Sequence, residues 1–233
     1  DHRGGGLVES VLEAFVVGVC RRRLSVGADG VILIEPSPTA DFRWRFFNAD
    51  ASLADMCGNG ARCAARFAHR LGICGTEVRF ETGAGLVCAQ VKGARVRVRL
   101  TDPHGLRLEL PIAVEGRTLT VSSVNTGVPH AVVAADRIDD VDLPALGRAI
   151  RFHPSFLPDG TNVDFICRDP AGGGIAIRTY ERGIEGETLS CGTGAVAGAL
   201  VAAERFGLAS PIGVRTASGE ILTVAFQRGA GGF

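Results

Sequence analysis

Two matching stretches decide the fold: Arg45-Phe46-Phe47 followed by Cys57-Gly58-Asn59-Gly60-Ala61, and Arg178-Thr179-Tyr180 followed by Cys191-Gly192-Thr193-Gly194-Ala195. Each runs from a strand-like segment through a Cys-Gly-x-Gly turn into a helical one, Arg62 to Leu71 in the first case and Gly194 to Ala203 in the second. A hairpin pattern follows each helix, Val78-Arg79 with Thr82-Gly83 and then Val214-Arg215 with Ser218-Gly219. The same blocks in the same order, at nearly the same spacing, mark a duplicated domain. The second helix is apolar or small all round, which places it inside a core and not on a surface. Strands outnumber helices in each half, and the repeated crossovers of a parallel doubly wound sheet are absent. The expectation is an α+β fold of two pseudo-symmetric duplicated domains. Each is a curved, barrel-like mixed sheet wrapped around a central helix, with the active site in the cleft between them. The Pro- and Gly-bearing stretch Thr101 to Pro111 is the boundary candidate, giving halves at 1–109 and 110–233.

Composition narrows the chemistry. The 233 residues carry 25 basic and 25 acidic side chains, so the net charge is +0 and no electrostatic footprint for nucleic acid or an anionic membrane exists. Hydrophobic residues are 46%, enough for a core. Lys92 is the one lysine among the 25 basic residues; genome bias explains this, yet it also limits any Schiff-base chemistry to that residue. The 7 cysteines (Cys20, Cys57, Cys63, Cys74, Cys88, Cys167, Cys191) sit mostly in apolar runs, unlike a secreted disulfide framework. No Cys-x-x-Cys pair and no His pair at ligand spacing occur, which argues against a metal site. No apolar run is long enough for a membrane-spanning helix, and Asp1 to Gly6 reads as neither the basic start nor the apolar core of a signal peptide. A cytoplasmic setting is the expectation.

A glycine-rich turn opening a helix aims backbone N–H groups at one spot with the helix dipole behind them, a cradle for carboxylate or phosphate. A cysteine there has its thiolate stabilised, so its pKa is expected below the usual value of about 8.5. Two such turns suit inversion of a carbon bearing a carboxylate. One thiolate removes the α-proton, the opposite thiol returns a proton to the other face, and the helix starts stabilise the growing charge. Pyridoxal phosphate is not expected, since Lys92 lies beside Gly93 at a strand end. A single cysteine before Gly-x-Gly is more often a packing residue at a tight turn; the duplicated register favours chemistry. An oxidised Cys57–Cys191 bridge stays open, though a reducing compartment argues against it at rest. The other five cysteines read as small buried apolar residues.

At these residues the sequence resembles the diaminopimelate epimerase family. The matching runs are Gly27 to Gly30, Phe47 to Asp50 with Met56 to Cys63, Gly127-Val128-Pro129-His130, Gly160 to Phe165, and Tyr180 to Gly183 through Glu187 to Gly194. They cover nearly the whole chain in family order, and the two cysteine motifs are the specific ones. The resemblance implies a pyridoxal-independent enzyme that interconverts LL- and meso-diaminopimelate, and a cytoplasmic homodimer. It implies Cys57 and Cys191 as the acid/base thiols, with His130 and Glu181 supporting them electrostatically. It implies substrate binding by Asn48 and Asn162, by Gly58, Asn59, Gly192 and Thr193 at the two helix starts, and by Glu181 with Arg182 as a charged pair. Without the resemblance, His130 can be structural, Glu181-Arg182 a surface ion pair, and Asn48 and Asn162 turn residues.

Some positions depart from the family pattern. Members begin with a strand and a Gly-x-Gly-Asn-Asp-Phe segment and end with a further strand, both of which are expected to lie outside this sequence. Many carry Asn before Pro-His, where this chain has Val128; Asn125 is the candidate substitute. The alternatives are a proline or hydroxyproline racemase-like enzyme of the same fold, and a non-catalytic amino-acid-binding relative. The first group typically has His where Asn59 stands, and the second would need no thiols.

Overall fold

The computed structural model describes residues 1–229. The chain divides into a unit from Asp1 to Arg99 and another from Leu100 onward. This places the division ahead of the expected 109/110, because the strand His104–Val114 runs unbroken through that point and pairs with its successor in the second unit.

The first unit contains α1 (Glu9–Cys20), β1 (Gly30–Glu35), β2 (Phe42–Asn48), β3 (Leu53–Ala54), α2 (Gly58–Arg70), β4 (Glu77–Thr82), β5 (Gly85–Lys92) and β6 (Arg95–Arg99). Its mixed sheet has the order β1-β2-β4-β5-β6, with β3 on β2. Strands β2 and β4 are parallel and joined through α2; the other pairs are antiparallel. Strand alternation splits the core in two. Ile34, Phe42 and Trp44 turn to α2, whose Ala61, Ala64, Ala65 and Ala68 form a helical stripe small enough for close approach. Leu33 and Phe47 turn the other way, to Leu12, Val16 and Cys20 of α1. Where β2 and β4 pair, Phe42 and Phe80 stack with ring centroids 4.8 Å apart. The helix foreseen from Leu7 to Arg22 forms, but Val8, Val11 and Phe15 of its apolar set stay exposed.

The second unit contains β7 (His104–Val114), β8 (Arg117–Asn125), β9 (Pro129–Ala134), α3 (Leu143–Arg151), β10 (Asn162–Arg168), β11 (Gly174–Glu181), β12 (Gly186–Thr188), α4 (Gly192–Phe206), β13 (Ile212–Arg215) and β14 (Ile221–Val224). The sheet order is β14-β13-β11-β10-β9-β8-β7, with β12 on β11. Ile166, Ile175 and Ile177 pack on α4, while Val163, Phe165 and Tyr180 face α3. Helix α4 is buried along most of its length, as its composition requires.

The duplication is visible in the topology. The path β1-β2-β3-α2-β4-β5 is repeated by β10-β11-β12-α4-β13-β14, with the same antiparallel pairs and one parallel crossover through the helix. These crossovers, with a second one in the second unit where β9 and β10 pair in parallel across α3, are the exceptions to the expected lack of crossovers. The architecture is α+β with two sheet-rich units. Each strand order among the described residues is an open path with two edges, so neither sheet closes into a barrel.

Candidate active site

Helices α2 and α4 both begin on a cysteine. Cys57 precedes α2 with extended backbone (φ −146°, ψ 117°), and its Sγ accepts from the Gly60 N–H at 3.4 Å. Cys191 precedes α4 in the same way (φ −116°, ψ 116°), accepting from the Gly194 N–H at 3.4 Å. Sulfur takes the place usually held by a Ser or Asp oxygen, at the end where free N–H groups concentrate positive potential. The loop ahead of each cysteine is pinned to the following hairpin. Ala84 N–H donates to the Asp55 carbonyl at 3.3 Å, and Ser218 N–H donates to the Leu189 carbonyl at 3.1 Å.

The surroundings then diverge. Cys57 is half-buried and packs at the edge of the first core. Cys191 is 9% exposed. Burial, reinforced by the negative charges of Glu181 and Asp164, pushes its thiol up to about 12; the Thr193 hydroxyl and the Gly194 N–H only partly offset this. The lowered value expected from the helix start is thus corrected for Cys191, because desolvation of a thiolate outweighs the dipole.

A chain of side chains leads away from Cys191. Its Sγ lies 3.4 Å from Thr193 Oγ1. Thr193 Oγ1 is 3.0 Å from His130 Nε2, and His130 Nδ1 is 2.7 Å from Asp164 Oδ2. Asp164 Oδ1 accepts from the Thr179 hydroxyl at 2.7 Å. His130 and Asp164 have no exposed side-chain surface. Thr126 closes the far side, its hydroxyl donating to the Thr193 carbonyl at 3.1 Å. Glu181 lies beside this cluster. Burial raises its carboxyl above the usual range; the nearby Thr188 hydroxyl and His130 oppose that rise, and Asp164 adds to it. Thr188 Oγ1 itself is buried without a partner of hydrogen-bonding geometry.

The remaining foreseen residues have local partners. Asn162 is buried; its amide donates to the Pro129 carbonyl at 3.1 Å, and its Oδ1 accepts the Arg182 N–H at 2.8 Å, tying β9, β10 and the Arg182 turn together. The Arg182 guanidinium donates to the Asp159 carbonyl at 3.0 Å, so it is directed there and not to its neighbour Glu181. Asn48 donates to Ser52 Oγ at 2.9 Å in the turn after β2. Asn59, exposed in the first turn of α2, accepts from Arg62. Gly58 and Gly192 are the first residues of the two helices. Asn125 Oδ1 accepts the Gly127 N–H at 2.9 Å and shapes the turn before Pro129.

Sequence reasoning passes over Asp164. The signal is there: a carboxylate inside the otherwise apolar run Val163-Asp164-Phe165-Ile166-Cys167, on a strand buried on both faces. Such a residue is kept only with partners or a purpose. Thr126, Thr179 and Thr188 carry no comparable signal, since Thr is ordinary in strands and turns. Among the described residues no cluster of three or more His, Cys, Asp or Glu could hold a metal ion, and no helix is long and apolar enough to cross a membrane.

Comparison with known proteins first defines the class. A PhzF-family phenazine biosynthesis protein from Bacillus anthracis superposes with a TM-score of 0.72 at 16% identity, covering 96% of this chain and 81% of its own. A probable proline racemase from Agrobacterium radiobacter K84 gives 0.68 at 21% identity, covering 93% and 73%. The fold is therefore the duplicated α+β fold these proteins share. The sequence narrows it further. The diaminopimelate epimerase family profile matches residues 7–104 and 122–230, and the chain belongs to that family. A relative from Aquifex aeolicus named diaminopimelate epimerase is 50% identical over 221 residues, spanning 92% of this chain and 78% of that protein. One from Hydrogenobaculum sp. with the same name is 45% identical over 223 residues, spanning 93% and 80%.

Proposed function

We propose that this protein epimerises LL- and meso-diaminopimelate at the α-carbon, with Cys57 and Cys191 each serving one face. The observation that carries the reading is the pair of cysteines capping equivalent helices in a chain that belongs to this family. One thiolate removes the α-proton while the other thiol supplies a proton. The N–H groups at Gly58-Asn59 and Gly192-Thr193 bind the α-carboxylate and stabilise charge as it develops there. Asn59 adds a side-chain donor at the first helix start, Glu181 and Arg182 contact the ammonium and carboxylate groups, and Asn48 and Asn162 hold the loops that frame the substrate. His130 and Glu181 support the thiols electrostatically. In the state described, Cys191 carries its proton and is the group ready to donate. The reaction in this reading uses no cofactor, the working form is a homodimer, and the setting is the cytoplasm.

A relative specialised for proline or hydroxyproline is the competing reading. Incubation with LL-diaminopimelate, L-proline and 4-hydroxyproline in D₂O separates them. Wild type is expected to label and epimerise diaminopimelate alone. Cys57→Ala and Cys191→Ala are each expected to lose at least about a hundredfold in epimerisation rate, the scale of positioned acid–base catalysis. Full turnover by either single variant would sink the two-thiol mechanism.

A further inference from the structure

The duplication supplies a control for Asp164. In the repeat, Arg45-Phe46-Phe47 corresponds to Arg178-Thr179-Tyr180. Phe46 pairs with Ile32 across β1 and β2; Thr179 pairs with Asp164 across β10 and β11. The two helix starts confirm the equivalence. A Cβ added to Gly60 would meet Ile32 Cδ1 at 3.1 Å, and one added to Gly194 would meet Asp164 Oδ1 at 2.5 Å. The fold thus fills this place with an isoleucine in one unit and a fully buried carboxylate in the other. Packing does not require the carboxylate, and burying one is costly unless it is fully bonded.

What Asp164 bonds to gives its purpose. An ionised carboxylate only accepts, so the His130 nitrogen 2.7 Å from it, Nδ1, must carry a proton. In neutral His130, Nε2 is then a bare acceptor and takes the Thr193 O–H. Thr193 Oγ1 is left with its lone pairs toward Cys191, 3.4 Å away, and accepts the S–H. The hydroxyl of Thr179 fills the other carboxylate oxygen and holds it in place.

We propose that Asp164 is a positioning residue for the epimerisation, which through His130 and Thr193 fixes the direction of the hydrogen bond at Cys191 and so presents that thiol as a proton donor. This rests on the function proposed above, in which Cys191 gives a proton to the substrate. When it does, the S–H bond breaks, the new C–H bond takes the proton and the electron pair stays on sulfur. Thr193 then turns its O–H toward the thiolate. Asp164 touches no substrate, since none of its surface is accessible.

Two readouts test this separately. The first is the His130 tautomer, read from two-bond ¹H–¹⁵N spectra of labelled protein and assigned against His130→Gln. Wild type is expected to be protonated at Nδ1. In Asp164→Asn, whose amide can donate to Nδ1, the proton is expected to move to Nε2. A wild-type His130 with a bare Nδ1 overturns the proposal whether or not the protein turns over diaminopimelate. The second is the kinetics. Asp164→Asn is expected to lower kcat about tenfold or more with KM within about twofold, as expected when a buried partner of an acid–base group is lost. An unchanged kcat in a variant with its tautomer moved overturns the positioning role. If Asp164→Asn does not fold, Thr193→Val and Thr193→Ser decide: Val, without the hydroxyl, is expected to lose kcat and Ser to retain it. Equal activity of the two overturns the proposal. Diaminopimelate turnover absent in wild type would instead count against the proposed function, and the tautomer would still decide the relay.

Discussion

Beneath the start of α2 lie Ile32 and Trp44; beneath the start of α4 lies Asp164, bonded to His130 and Thr179. The backbone is the same in both places, down to the sulfur cap and the pinned loop. The difference comes from the neighbouring strand. In the second unit β10 is flanked by β9, which brings His130 into register opposite Asn162. In the first unit β1 is the edge of its sheet among the described residues. Duplication therefore reproduces where a thiol is held, while the strand beside it determines what the thiol is coupled to. Two copies of one element have acquired different electrostatics without a change in main-chain geometry.

The largest expected effect of that difference is on thiol reactivity. A raised pKa favours the protonated form, and only the thiolate attacks an alkylating reagent. With its pKa pushed up to about 12, Cys191 has a thiolate fraction on the order of 1 in 10,000 at about pH 8. Iodoacetamide is expected to label it on the order of a thousandfold more slowly than a peptide cysteine of ordinary pKa. The half-exposed Cys57 is expected to be labelled well before Cys191, alongside Cys63 and Cys88, which are exposed and not buried as residue order suggests. Below the pKa each pH unit adds a factor of ten in thiolate, so raising the pH by about two units should speed Cys191 labelling about a hundredfold. Peptide mass spectrometry at timed quenches measures this; labelling of Cys191 at the free-cysteine rate would remove the contrast between the two sites.

A smaller effect separates the two glycines. Ala at position 60 would press on the Ile32 methyl at 3.1 Å and the Trp44 ring at 3.3 Å, contacts relieved by a small shift. Ala at 194 would lie 2.5 Å from Asp164 Oδ1, and that oxygen is fixed by Thr179. Gly194→Ala is expected to cost about 1–3 kcal/mol, the usual scale of overpacking. Gly60→Ala should stay within about 1 kcal/mol, because better helix propensity offsets its mild crowding. Urea unfolding of the two variants checks this, and equal costs would mean that Asp164 yields as readily as Ile32.

Much of this is readable from residue order. The repeat needs only Cys57-Gly58-Asn59-Gly60 and Cys191-Gly192-Thr193-Gly194 in register, because a glycine turn, a helix and a hairpin leave strong local signals. The all-small stretch from Gly194 to Ala203 announces a buried helix by composition alone. What escapes is set by long-range pairing. Residue order misplaces the boundary because Pro111 and Gly105 look like linker residues, yet both lie in β7, where the ladder is irregular. It misjudges the thiol pKa because the dipole is a local property and burial is not. Asp164 and His130 lie far apart in sequence and meet only because β9 and β10 pair in parallel, which no local pattern encodes.

The smallest expected effect concerns Trp44, which fills in the first unit the space beneath the capped helix. Its indole Nε1 is buried with no hydrogen-bond partner, whereas His130 and Asp164 in the second unit are all partnered. An unpaired buried donor carries its full desolvation cost, about 1–3 kcal/mol. Replacing it with Phe removes that cost and also some of the ring's contacts with Phe46 and Phe80. These two changes oppose each other, so Trp44→Phe is expected to alter stability by less than about 1 kcal/mol, against the roughly 3–5 typical of truncating a core Trp to Ala. Trp44 is the chain's one tryptophan, so unfolding must be followed by circular dichroism. A loss of several kcal/mol would show that the indole N–H has a partner in solution, and that the first helix start is held by a polar contact as the second one is.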